Sequence, residues 1–165
     1  MARGSPTASD DARALARLLS LAHRYVRSGV RSTRDVTDYL NRRGVSPETA
    51  AHVVADYQAR GELDDLACAK LWAEHWSRSG YAWAAIQMRL EAKGLHEHTI
   101  QHVRGPLGTP SADEARARTL ATRLLSRRLA RQPRARLARL LAAHGFDAEL
   151  IERLLSELTV SISTD

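Results

Sequence analysis

Residues 36–45 read VTDYLNRRGV, residues 86–95 read IQMRLEAKGL, and residues 137–146 read LARLLAAHGF. Each window opens on an aliphatic residue (Val36, Ile86, Leu137) and carries a leucine four positions on (Leu40, Leu90, Leu141). A glycine follows after four more (Gly44, Gly94, Gly145), and then an apolar residue (Val45, Leu95, Phe146). The glycines stand 50 and 51 residues apart, and nine residues beyond each the apolar pattern resumes at Val53, Val103 and Leu154. Spacing by four keeps apolar side chains on one helical face, and glycine is the usual residue just past a helix end. One such glycine carries little information. Three in register with these four apolar columns define an internal repeat, each unit of which buries its apolar face partly against its neighbours.

Working outward, Ser9-Asp10-Asp11 supplies a cap and an acidic first turn for a helix whose inner face is Leu15, Leu18, Leu19, Ala22 and Val26. Ser32 or Thr33 caps the next helix, and Ser46-Pro47-Glu48 starts a third that buries Ala50, Val53, Val54 and Tyr57. In the second unit Asp64 is placed to cap, with Leu63 before it as a hydrophobic staple and Ala69, Trp72, Ala73 and Trp76 on the inner face. In the third, Ser111 and Glu114 have capping-box spacing ahead of Leu120, Leu124, Leu125 and Leu129, and Asp147 caps the last helix. No segment has the alternation of a strand. The expected fold is all-α: three tandem three-helix, helix-turn-helix-like repeats stacked into an elongated, curved, solenoid-like chain. The expected boundaries are a disordered N-terminus at 1–10, repeats at 11–61, 62–105 and 111–158, a Gly/Pro linker at 106–110 and a tail at 159–165.

The 165 residues are 44% hydrophobic, which supports a packed core. A single cysteine, Cys68, excludes a disulfide framework and an all-Cys zinc site. No apolar run reaches the roughly 18 residues of a membrane span, and no signal-peptide core follows Met1, so the expected compartment is the cytoplasm. The net charge of +6 is unevenly spread: Ala115 to Phe146 holds nine arginines and no acid, between flanking segments that are net negative. Such a segment suits a polyanion or an acidic protein surface. Arg116, Arg123, Arg127, Arg128, Arg131, Arg134 and Arg136 are the candidate contacts.

Catalytic constellations are lacking. Asp64 and Asp65 are adjacent and point about 100° apart on a helix, so capping suits them better than a shared carboxylate site. His98 and His102 are four apart, but no carboxylate or cysteine completes a metal set with His96. Cys68 reads as a small buried filler, and Trp72 and Trp76 as core residues. Trp83, whose repeat counterpart is Thr33, is expected to be partly exposed. No phosphate-cradling glycine loop is present. The expectation is no catalytic residue, no metal and no cofactor.

The repeat resembles the RecX family of bacterial recombinase regulators. The likeness rests on Arg31-Ser32-Thr33-Arg34-Asp35-Val36 with Leu40 and Gly44, on Gly61-Glu62-Leu63-Asp64-Asp65, on Gly80 through Gly94-Leu95, and on Gly145-Phe146 with Ile151. It spans about Leu15 to Leu158. Departures are Cys68 where the family has Phe, His144 where it has Arg, an extra stretch at 26–29 and the linker. The resemblance implies a monomeric, non-enzymatic protein that binds the RecA–DNA filament and inhibits its recombinase, ATPase and coprotease activities, touching DNA weakly or through the filament. It also implies structural roles for Arg31, Ser32, Gly44, Leu63, Asp64, Asp65, Gly94, Gly145 and Phe146. A helix-turn-helix-like protein acting directly on DNA is the alternative.

Overall fold

The computed structural model describes residues 8–125 and 133–162. Among them, nine α-helices follow one another: α1 (Ala8–Arg27), α2 (Thr33–Asn41), α3 (Pro47–Ala59), α4 (Asp65–Arg78), α5 (Trp83–Ala92), α6 (Glu97–Arg104), α7 (Pro110–Leu125), α8 (Pro133–Ala143) and α9 (Ala148–Ile162). A short 3-10 turn, Gly105–Gly108, lies between α6 and α7. The repeat columns sit where the periodicity puts them: Val36, Leu40, Ile86, Leu90 and Leu141 are fully buried and Leu137 nearly so.

Several local expectations change. Helix α1 already runs at Ala8, so Ser9 and Asp10 lie within it rather than in a disordered start. The segment read as a linker is largely occupied by the 3-10 turn and by Pro110, the first residue of α7. The expected Ser111–Glu114 capping box does not form. Thr109 Oγ1 accepts from Ala112 N at 3.1 Å instead. Pro110, with its preset φ and missing N–H, takes the first helical position and moves the cap one residue before it. The C-terminal tail is helical through Ile162.

The described residues form two compact units, 8–68 with Lys93–Leu95, and Ala69–Ala92 with 96–125 and 133–162. The core of the first is Ala22, Val26, Val36, Leu40, Val45, Ala50, Val54, Tyr57 and Leu63. That of the second includes Ala117, Ala121, Leu137, Leu141, Phe146, Leu150 and Leu154. The boundary cuts through the second helical triplet because Lys93–Leu95, just past α5, packs with the first triplet.

In the second unit, α7 and α9 are tied at the surface. Arg118 donates to Glu114 Oε1 at 2.8 Å and to Glu157 Oε2 at 2.6 Å, and Arg153 donates to Glu114 Oε2 at 3.1 Å. The Arg118 hydrogen bond, followed by the charge of Arg153, holds the Glu114 carboxyl below its ordinary range. A carboxylate depressed in the folded state stabilises above its unfolded pKa and loses that contribution as pH falls through its folded pKa. Thermal melts of the wild type and Glu114→Gln are therefore expected to differ near neutral pH and to converge as pH drops below the carboxylate range. A difference that persists in acid would refute this ion-pair role.

Candidate functional site

The residues singled out by the repeat meet in two joints built to the same plan. In the first unit, Ser32 caps α2: its Oγ accepts from Asp35 N at 3.1 Å, while Asp35 Oδ2 accepts from Ser32 N at 3.1 Å. The same hydroxyl donates to the Lys93 carbonyl at 2.7 Å, and Lys93 Nζ lies 3.2 Å from Asp35 Oδ2. Thr33 gives both its N–H and its hydroxyl to the Asp65 carboxylate, each at 2.8 Å. Asp64 meanwhile caps α4, accepting from Leu66 N and Ala67 N at 2.8 and 3.0 Å. The two adjacent acids thus have separate tasks: one caps its own helix, the other caps a helix of the preceding triplet.

In the second unit, Ala82, fifty residues after Ser32, donates its N–H to the His144 carbonyl at 2.9 Å. His144 stands 51 residues after Lys93. Trp83 N donates to Asp113 Oδ1 at 2.9 Å, as Thr33 N does to Asp65. A glycine closes each joint. A Cβ on Gly94 would sit 2.0 Å from Arg34 Cδ, and one on Gly145 would sit 2.6 Å from the Ala85 Cβ. The repeated glycine therefore ends a helix and also lets that helix end seat against the preceding triplet. Gly44, in the first described triplet, has nothing within 4 Å of that position.

Trp83 is buried, 5% exposed, contrary to the exposure expected from Thr33. It shares with Thr33 the backbone hydrogen bond, and its side chain packs inward. Trp72 and Trp76 are half-buried and stack at 5.2 Å. Arg89 continues this row, lying 6.0 Å from the Trp76 ring and 3.9 Å from that of Tyr81, whose ring stacks on His144 at 4.6 Å. Cys68 is buried, 2% exposed. His96 and His98 stack on each other at 5.8 Å on an exposed face with His102, and no group of three metal-ligating side chains converges among the described residues. Arg31 lies over the Tyr25 ring at 4.5 Å, and Leu63 and Phe146 are buried.

The candidate arginines separate. The Arg116 side chain is only 11% exposed, pairs with Asp113, and donates to the Leu107 carbonyl at 2.7 Å and to Ser77 Oγ at 3.3 Å. Its guanidinium is engaged inside the second unit, where it holds the second joint. Arg123, Arg134 and Arg136 are exposed, and Arg127, Arg128 and Arg131 lie outside the described residues. Asp113 is the residue sequence reasoning missed. Its counterpart Asp65 stands 29 residues before Gly94, whereas Asp113 stands 32 before Gly145, so a three-residue offset hides the column.

No family model matches the chain. The regulatory protein RecX of Thermobifida fusca is 31% identical over 159 residues, spanning 93% of this chain and 84% of that protein. The chain belongs to the RecX family. RecX of Streptomyces lividans, also a regulatory protein, is 32% identical over 132 residues, or 77% of this chain and 69% of that protein. The crystal structure of RecX from Lactobacillus salivarius matches with a TM-score of 0.69 at 17% identity, over 90% of this chain and 99% of that one. That likeness shows a shared all-helical fold. Within the RecX framework, the first joint falls on segments that carried the resemblance, from Ser32 through Asp65 to Gly94, whereas the second shares with them Ala82, Trp83 and Gly145 but not Asp113.

Proposed function

We propose that this protein regulates the RecA recombinase by binding its DNA filament and lowering its strand exchange, ATP hydrolysis and coprotease activities. The observation that carries the reading is membership in a family of regulatory proteins along nearly the whole chain, 93% of it aligned at 31% identity. The geometry is compatible. Each unit presents exposed helix faces to a partner, and Arg123, Arg134 and Arg136 are exposed cations suited to acidic side chains or phosphates. On this reading the protein acts as a monomer in the cytoplasm, with DNA contact accessory to filament binding.

Titration of the protein into RecA, single-stranded DNA and ATP is the direct test. ATP turnover is expected to fall progressively as protein is added. Turnover unchanged at several-fold excess over RecA would refute the proposal.

A further inference from the structure

Helix α1 carries a second basic surface, away from the arginine-rich segment of the sequence. Arg13, Arg17, Arg24 and Arg27 follow one another at intervals of four, seven and three, with Ser20 between. At 100° per residue these five positions fall within a sector about 80° wide, and the row is about 21 Å long. All four arginines are exposed. The opposite side of the helix is the core side, where Ala22 and Val26 are 0% and 7% exposed.

None of the four guanidinium groups is engaged by another described side chain. Two described carboxylates on the neighbouring elements, Asp56 and Glu62, already have partners. Asp56 is 2.9 Å from Arg60, and Glu62 is 3.4 Å from Arg60 and 3.6 Å from His23. Arg24 and His23 also form one wall of an open groove of about 860 Å³, whose other wall is His52, Asp56 and Tyr57 on α3 with Arg60 just past its end. The negative end of the helix dipole accounts for cations in the last turn, where Arg24 and Arg27 lie. It does not account for Arg13 and Arg17, which stand in the first half of α1.

We infer that this α1 face is a docking surface for the phosphate backbone of DNA. Charge complementarity selects the occupant. An exposed row of guanidinium groups about 21 Å long matches about 12 phosphate charges of a duplex, and guanidinium pairs with phosphate oxygens through two parallel hydrogen bonds. Folded protein surfaces intersperse both signs of charge, whereas nucleic acid presents one sign without interruption. The inference deepens the proposed function by naming its nucleic-acid contact. It is tested without recombinase, so that each can fail alone.

The test measures binding to a fluorescent single-stranded oligonucleotide and to its duplex across a salt series. The proteins are the wild type, Arg13→Gln/Arg17→Gln, and a control, Arg42→Gln/Arg78→Gln, that removes the same charge elsewhere. Arginine and glutamine have similar helix propensity, so the variants should fold, as far-UV circular dichroism will verify. Each lost phosphate contact lowers the slope of log K against log salt by about 0.7 on single strands and 0.9 on duplex. The α1 pair is expected to flatten the slope by roughly 1.5 and to weaken binding at least tenfold at low salt, with little change in the control. Equal losses in the two variants would reduce the surface to net charge and overturn the inference. So would DNA affinity and salt slope unchanged in the α1 pair, which would leave the stripe without a phosphate contact.

Discussion

Gly145→Ala is expected to destabilise the protein by about 3 kcal/mol, the sum of a left-handed backbone carrying a side chain and an overpacked joint. Gly145 has φ +84°, and the added methyl would lie 2.6 Å from the Ala85 Cβ and 3.4 Å from the Ala85 backbone. Backbone atoms of α5 cannot swing aside as a flexible side chain can. Gly44→Ala provides the internal comparison. Its φ is +80° but nothing approaches within 4 Å, so only the backbone term of about 1 kcal/mol remains. Urea denaturation of the two variants separates the contributions. Equal losses would mean that the glycine column serves only to end helices and that the joint relaxes around a methyl group.

Asp113→Ala is the other large effect expected, about 3 kcal/mol. Removing the carboxylate strips Trp83 N of its acceptor and leaves the Arg116 charge without its partner at a site where that side chain is 11% exposed. An uncompensated buried charge typically costs about 3–5 kcal/mol. The Leu107 carbonyl and Ser77 Oγ still hold the guanidinium, which places the figure at the lower end. Asp113→Ala/Arg116→Met removes the stranded charge as well and is expected to recover part of the loss. A double variant as unstable as the single one would show that the penalty lies in the Trp83 hydrogen bond alone. Denaturant midpoints of the three proteins decide it.

Much of this molecule was legible before its structure. Leu40, Ile86 and Leu141 occupy the buried positions that their spacing assigned, and Ser46 and Asp64 cap the helices they precede. Those features are local: a cap and its helix, or a side chain and its neighbour one turn away, lie within a few residues. The misread features were those whose partners lie far along the chain. Thr33 and Asp65 are 32 residues apart, Trp83 and Asp113 are 30, and Arg116 and Ser77 are 39. Nothing in the immediate sequence of Arg116 distinguishes it from Arg118 two residues later. Yet one is held inside the second unit, while the other ties Glu114 to Glu157 at the surface.

The same division governs the candidate surface. Composition drew the eye to residues 115–146 because charge density is a one-dimensional property. The α1 stripe has only four cations in fifteen residues, and it becomes a surface because helical geometry aligns them on an exposed face. Sequence alone settled the helical class, the repeat of about 50 residues and the kinship with RecX proteins, since each is written in periodicity and motif. Tertiary structure decided why the glycines recur, which acids bind across the joints and which arginines remain exposed. Those properties depend on which distant atoms come within hydrogen-bonding distance, and no local pattern encodes that.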